Sequence, residues 1–186
     1  MKHFIKIFTV LTFILALFSC RDANDIPEDI HEHEEIEKLV VTLTNTADPT
    51  DIQTINYIGG VADHAMTLVP GTTYNVDLDF MVKHDDHYHS VADELEEEKD
   101  EHFITFQFAN TDLELVRRAD DIVRTDGNKL GLKTQWTINH VSTNAQCNIK
   151  LVHAATNVSD HVPSAQLQLG STTGGSADVN AFITIQ

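Results

Sequence analysis

From Lys38 onward, apolar and polar residues alternate in short runs: Leu39-Val41-Leu43, Ile55-Tyr57, Met66-Leu68 and Tyr74-Val76-Leu78-Phe80-Val82. A side-chain period of two belongs to a strand with one buried face. The run 73–82 shows it most clearly, because Asn75, Asp77 and Asp79 fall on the opposite parity and so point to water. The same pattern predicts strands at 103–108, 112–117, 130–139, 146–153 and 179–185. Turn signals separate them at Pro70-Gly71, Asn110-Thr111, Asp126-Gly127-Asn128 and the stretch 171–176. Short strands at this spacing, with no alternation of strand and helix, predict an all-β fold, an immunoglobulin-like antiparallel β-sandwich. Trp136 and Cys147 then occupy core positions. One segment departs from the pattern: Ser90 to Glu101 reads as a short acidic helix inserted into the sandwich, with Ser90 as its N-cap. On it Glu94, Glu98 and His102 follow i, i+4 spacing and form one row.

The N-terminus is of another kind. Lys2 and Lys6 supply positive charge, Phe4 to Phe18 a mostly apolar stretch, and Leu17-Phe18-Ser19-Cys20 follows at once. That order predicts a signal peptide over 1–19, because the apolar run is shorter than the roughly 20 residues of a spanning helix. The last four residues resemble a bacterial lipobox, which implies a diacylglycerol lipid on Cys20 and a membrane anchor. Residues 20–37 carry Pro27 and His31-Glu32-His33-Glu34-Glu35 with few apolar groups, the composition of a flexible tether. The domain is therefore expected over 38–186. With Cys20 lipidated, only Cys147 remains, so no internal disulfide is expected.

The chain carries 12 Lys and Arg against 29 Asp and Glu, a formal charge of −17. Loss of residues 1–19 makes it more acidic, since that segment holds Lys2 and Lys6 and no acid. Nucleic acid and anionic lipid surfaces are disfavoured as partners by such a balance, and cations are favoured.

Lys83-His84-Asp85-Asp86-His87-Tyr88-His89 is the densest run of potential ligands. Neutral imidazole suits Zn²⁺, Cu²⁺ and Ni²⁺, whereas Ca²⁺ takes oxygen ligands in a patterned loop. His84, His87 and His89, with Glu98 or His102 completing the shell, are thus the expected metal ligands, Zn²⁺ favoured. Strand parity puts His64, His153 and His161 at the same end of the sandwich as second-rank candidates and His140 at the other end. His153 shares its inward parity with Cys147, Ile149 and Leu151, where a hydrogen-bonded core histidine is the commoner role.

Several short segments carry a family resemblance: the lipobox and acidic His/Glu tether, Val41-Thr42-Leu43-Thr44, Thr72-Thr73-Tyr74-Asn75, Asp100-Glu101-His102-Phe103, Gly131-Leu132-Lys133-Thr134 and Phe182-Ile183-Thr184-Ile185-Gln186. Together they resemble a group of Bacteroidota outer-membrane lipoproteins encoded beside TonB-dependent receptors and commonly labelled type 1 periplasmic binding fold proteins. The resemblance implies a receptor-associated nutrient binder, lipid-anchored in the outer membrane, with Glu98, Glu101 and His102 as the matching positions. The label also implies an α/β fold, which the strand pattern argues against. The expected function is divalent-metal binding in support of a TonB-dependent receptor. Two alternatives stand beside it: a structural or adhesive immunoglobulin-like module without a metal role, and haem binding through an axial histidine. An enzyme is not expected, because G-x-S-x-G, phosphate-loop and H-E-x-x-H motifs are all absent.

Overall fold

The computed structural model describes residues 35–161 and 168–186. The expected signal peptide, Cys20 and the tether histidines His31 and His33 lie outside the described residues. Among the described residues, eleven strands and one short helix follow in order: β1 Ile36–Asn45, β2 Ile52–Ile58, β3 Val61–Ala62, β4 Thr73–His84, β5 His87–Ser90, α1 Ala92–Glu97, β6 His102–Arg117, β7 Lys133–His153, β8 Asn157–Ser159, β9 Gln168–Leu169, β10 Ser171–Thr173 and β11 Ser176–Ile185. All strand pairs are antiparallel. The all-β expectation holds, and the α/β architecture implied by the family label does not. The first strand starts at Ile36 rather than Lys38.

Two strands are far longer than the sequence pattern suggested. The runs 103–108 and 112–117 are halves of β6, and 130–139 and 146–153 belong almost entirely to β7. Asn110-Thr111 is therefore not a turn, and 130–139 and 146–153 are not separate strands. Both strands bend at a shared corner instead, where the register jumps between Ala109↔Gln146 and Thr111↔Val141. Asn110 and Asn144 both take φ 56 there, a left-handed conformation that asparagine tolerates better than most residues. The Asn110 side-chain amide donates to the Asn144 carbonyl at 3.1 Å.

The corner divides one hydrogen-bonded sheet into two layers. The first runs β3-β2-β1-β4, then the 133–141 half of β7, then the 111–117 half of β6; the second runs β9, the 102–109 half of β6, the 145–153 half of β7, then β11. Without β2, β3 and β9, this is the ABED-facing-CFG arrangement of constant-type immunoglobulin domains. Trp136 from the first layer meets Phe106 and Phe108 from the second edge-on, with ring centroids 5.9 and 5.0 Å away. Met66 and Leu68, expected on a strand of their own, are core residues of a segment that touches β11 through a single parallel bridge at Met66↔Ile185.

The 118–132 loop returns to the end of the sandwich where β6 begins. Arg117 spans the gap, donating to the carbonyls of Ile104 at 2.6 Å and Lys129 at 2.9 Å, and its charge lies over the Phe103 ring. Burial lowers its pKa to about 10. A side chain at Gly131, where φ is +104, would collide with the Arg117 guanidinium.

Trp136 is fully buried at the centre of both layers. Trp136→Ala is expected to cost about 3–5 kcal/mol of stability, measured as the shift in urea midpoint at unchanged m-value.

Candidate metal centre

His102 opens β6 and His153 closes β7, and the ladder pairs them directly, so both rings project from the same face of the second layer. They stack with centroids 4.9 Å apart and planes 15° from parallel. Asp178 comes from β11. There Ala177 pairs with Val152 and Val179 with Leu151, which leaves Asp178 as the extra residue of a β-bulge. A bulge re-aims a side chain, and here it places Asp178 Oδ2 3.7 Å from His102 Nε2. Among the described residues, His102, His153 and Asp178 are the potential ligands whose donor atoms all lie within 4.8 Å of one another.

The surroundings of His102 favour a neutral, oriented imidazole. His102 is 5% exposed, and its Nδ1 lies 3.3 Å from the Glu98 carbonyl. That contact selects the tautomer with the proton on Nδ1, leaving the Nε2 lone pair facing Asp178. His153 Nε2 lies 3.2 Å from Glu101 Oε2. Burial lowers the His102 pKa, opposed by the Glu98 carbonyl and by the charges of Asp178 and Glu98, while His153 adds to the lowering.

The backbone around the pair is pinned from two sides. Arg124 donates to the carbonyls of Lys99 and His102, and Asp100 accepts from the Thr125 amide and hydroxyl at 2.8 Å each. On the far side the β10–β11 turn packs against His153. Gly175 has φ +78, and a Cβ there would lie 2.5 Å from the His153 carbonyl oxygen. A cleft of about 400 Å³ between the layers reaches the site, with Lys38, Tyr57, Asp178 and Asn180 in its walls.

The helix is shorter than expected, ending at Glu97. His102 is therefore not on its face, and the Glu94-Glu98-His102 row is not a helical row. Val91 occupies the N-cap, and Ser90, one residue earlier, accepts the Ala92 amide at 3.1 Å. The stretch 83–89 is a hairpin: β4 runs to His84, β5 begins at His87, and Asp85 turns the chain at φ 53. His84 and His87 are directly paired and His89 follows two positions on, so all three project from one face. The His84 and His89 rings are 4.3 Å apart and those of His87 and His89 6.2 Å apart. All three are exposed.

Of the second-rank candidates, only His153 joins His102. His64 pairs with Asp63 at 2.8 Å, and His161 is exposed beside Asp160. His140 pairs with Asp112 near the corner, away from His102 and His153. The expected separation of His140 and His153 thus holds, along one bent strand. Asp178 was not anticipated, because its parity between Ala177 and Val179 is that of an ordinary outward residue. Cys147 is buried in mid-strand, and its thiol pKa is pushed far up by burial.

The chain matches no protein-family model, no curated protein and no solved structure.

With metal chelated, the lowered His102 pKa has a definite sign. The folded form binds fewer protons than the unfolded form below the unfolded value of about 6.5, so stability should fall as pH drops through that value. Urea midpoints at about pH 7.5 and 5.5 in the presence of a chelator check this. His102→Gln should flatten the difference.

Proposed function

We propose that the protein binds a divalent transition-metal ion, Zn²⁺ favoured, through His102, His153 and Asp178. The observation that carries this reading is the convergence of two imidazoles and a carboxylate from three adjacent strands. Donors around a four-coordinate Zn²⁺ at about 2 Å lie about 3–3.5 Å apart. The 3.7 Å between His102 Nε2 and Asp178 Oδ2 needs only a small adjustment to meet that. Two imidazoles also argue for Zn²⁺, Cu²⁺ or Ni²⁺ over Ca²⁺ or Mg²⁺. The Glu98 carbonyl and the Glu101 carboxylate supply the outer hydrogen bonds that ligating histidines ordinarily have.

On this reading the protein captures metal at a membrane, held by the lipid on Cys20 and working beside a TonB-dependent receptor. The lipobox-like segment supports the anchor, and the family resemblance supports the receptor. The exposed His84, His87 and His89 on the β4–β5 hairpin form a separate, looser group whose part in metal binding the same experiment resolves.

Calorimetric titration of the full chain with Zn²⁺ and Ca²⁺ tests the reading. One Zn²⁺ per chain at micromolar affinity or tighter is expected, lost in His153→Ala/Asp178→Asn and retained in His84→Ala/His87→Ala/His89→Ala. Affinity should weaken as pH falls through about 6.5, since bound imidazole must be neutral. Loss of binding only in the hairpin variant would move the site to the hairpin. Equal, weak binding by all three proteins would leave the adhesive-module reading.

A further inference from the structure

The β4–β5 hairpin carries an imidazole group that the inner centre does not use. Its backbone is fixed at both ends. Asp85, in the left-handed region, turns the chain between His84 and His87, and at the other end the Ser90 hydroxyl donates to the Asp79 carboxylate. On the face opposite the histidines, the Lys38 ammonium lies over the Tyr88 ring, 5.4 Å from its centroid. His84 and His89 are diagonal neighbours in this ladder, since His84 pairs with His87 and Val82 with His89. Such backbone positions are about 7–8 Å apart, yet the two rings meet at 4.3 Å, so the side chains lean toward one another. Two imidazoles bound to one ion at about 2 Å carry their ring centroids roughly 4.5–5.2 Å apart. The His84–His89 pair stands within a few tenths of an ångström of that spacing. His87, whose ring is 6.2 Å from that of His89, reaches it by turning an exposed side chain. Asp86 Oδ1 lies 3.3 Å from His87 Nδ1, an outer hydrogen bond that leaves Nε2 as the donor to an ion.

We propose that the hairpin holds a second divalent transition-metal ion through His84, His87 and His89. The second site shares no residue with the inner centre and does not depend on it. Three neutral imidazoles, with no carboxylate in the shell, select Zn²⁺, Cu²⁺ or Ni²⁺ and discriminate against Ca²⁺ and Mg²⁺. All three rings are exposed, so water fills the remaining positions and the ion exchanges with solvent, whereas buried His102 encloses the inner one. Binding has to order three exposed side chains, which makes the hairpin weaker than the inner centre by about 10-fold or more.

Protection of histidines from diethylpyrocarbonate, read by mass spectrometry on the full chain, tests the second site residue by residue. In His153→Ala/Asp178→Asn, which lacks the inner centre, Zn²⁺ should protect His84, His87 and His89 together and Ca²⁺ should protect none of them. Exposed His140, distant from both groups, is the internal reference and should react alike throughout. His89→Ala should restore the reactivity of His84 and His87. The wild-type chain should show the same protection of the three, which keeps the test independent of how well the double variant folds. The proposal is overturned if the three react equally with and without Zn²⁺, or if His89→Ala leaves the protection of His84 and His87 unchanged. Protection of the three, combined with a Zn²⁺ affinity that His153→Ala/Asp178→Asn does not lower, overturns the inner centre and leaves the hairpin site standing.

Discussion

At the corner of the sandwich, the side chain of Asn110 reaches across to the Asn144 carbonyl, and both residues sit in the left-handed region. This contact lets β6 and β7 stay paired while they leave one layer and enter the other. Everything else in the fold is arranged around that ribbon. Its first-layer half offers an edge to β4, its second-layer half an edge to β11, and Trp136 is enclosed between the two where Phe106 and Phe108 fold over it. A ribbon bent at its middle also brings its two ends back to the same side. That is why Arg117, at the end of β6, and Arg124, in the 118–132 loop, brace the very segment from which His102 emerges.

The candidate metal centre is a consequence of that geometry. His102 and His153 are the last pair of the second-layer ladder, where inward-facing positions run out of core to pack against. Farther down the same strands, the inward positions are filled by Ile104, Phe106, Cys147, Ile149 and Leu151, all fully buried. At the end of the ladder, polar side chains can occupy the same face because the Glu98 carbonyl and the carboxylates of Glu101 and Asp178 meet them. Burial and anionic surroundings act on His102 in opposite directions. Burial prevails, so the His102 pKa lies below its ordinary value and the neutral imidazole is favoured. A divalent ion would satisfy the carboxylates and the imidazoles together, which a proton on one ring cannot do.

Two histidine groups of different character therefore sit on one domain. The hairpin group is exposed and brought together by local sequence alone, since His84, His87 and His89 share a face of a two-residue turn. The inner group is assembled from residues 102, 153 and 178 and held by backbone contacts from both sides. Preorganisation of this kind lowers the ordering cost of binding, which is the physical reason for preferring the inner group as the tighter site.

The period-two pattern was enough to place nearly every core residue and the layered all-β class, because alternation is local and burial enforces it along each strand. His102 was reached through an i, i+4 helical row that the structure does not form, while strand parity put His153 on the inward face. The corner was not legible, since Asn110-Thr111 has the composition of an ordinary turn, and whether such a pair reverses the chain or bends it depends on the partner strand. The pairing of His102 with His153 and the rotation of Asp178 into the site were likewise decided only in three dimensions. Register is set by which strands meet, and a bulge by a mismatch between two strands distant in sequence; neither leaves a periodic trace in the residues themselves.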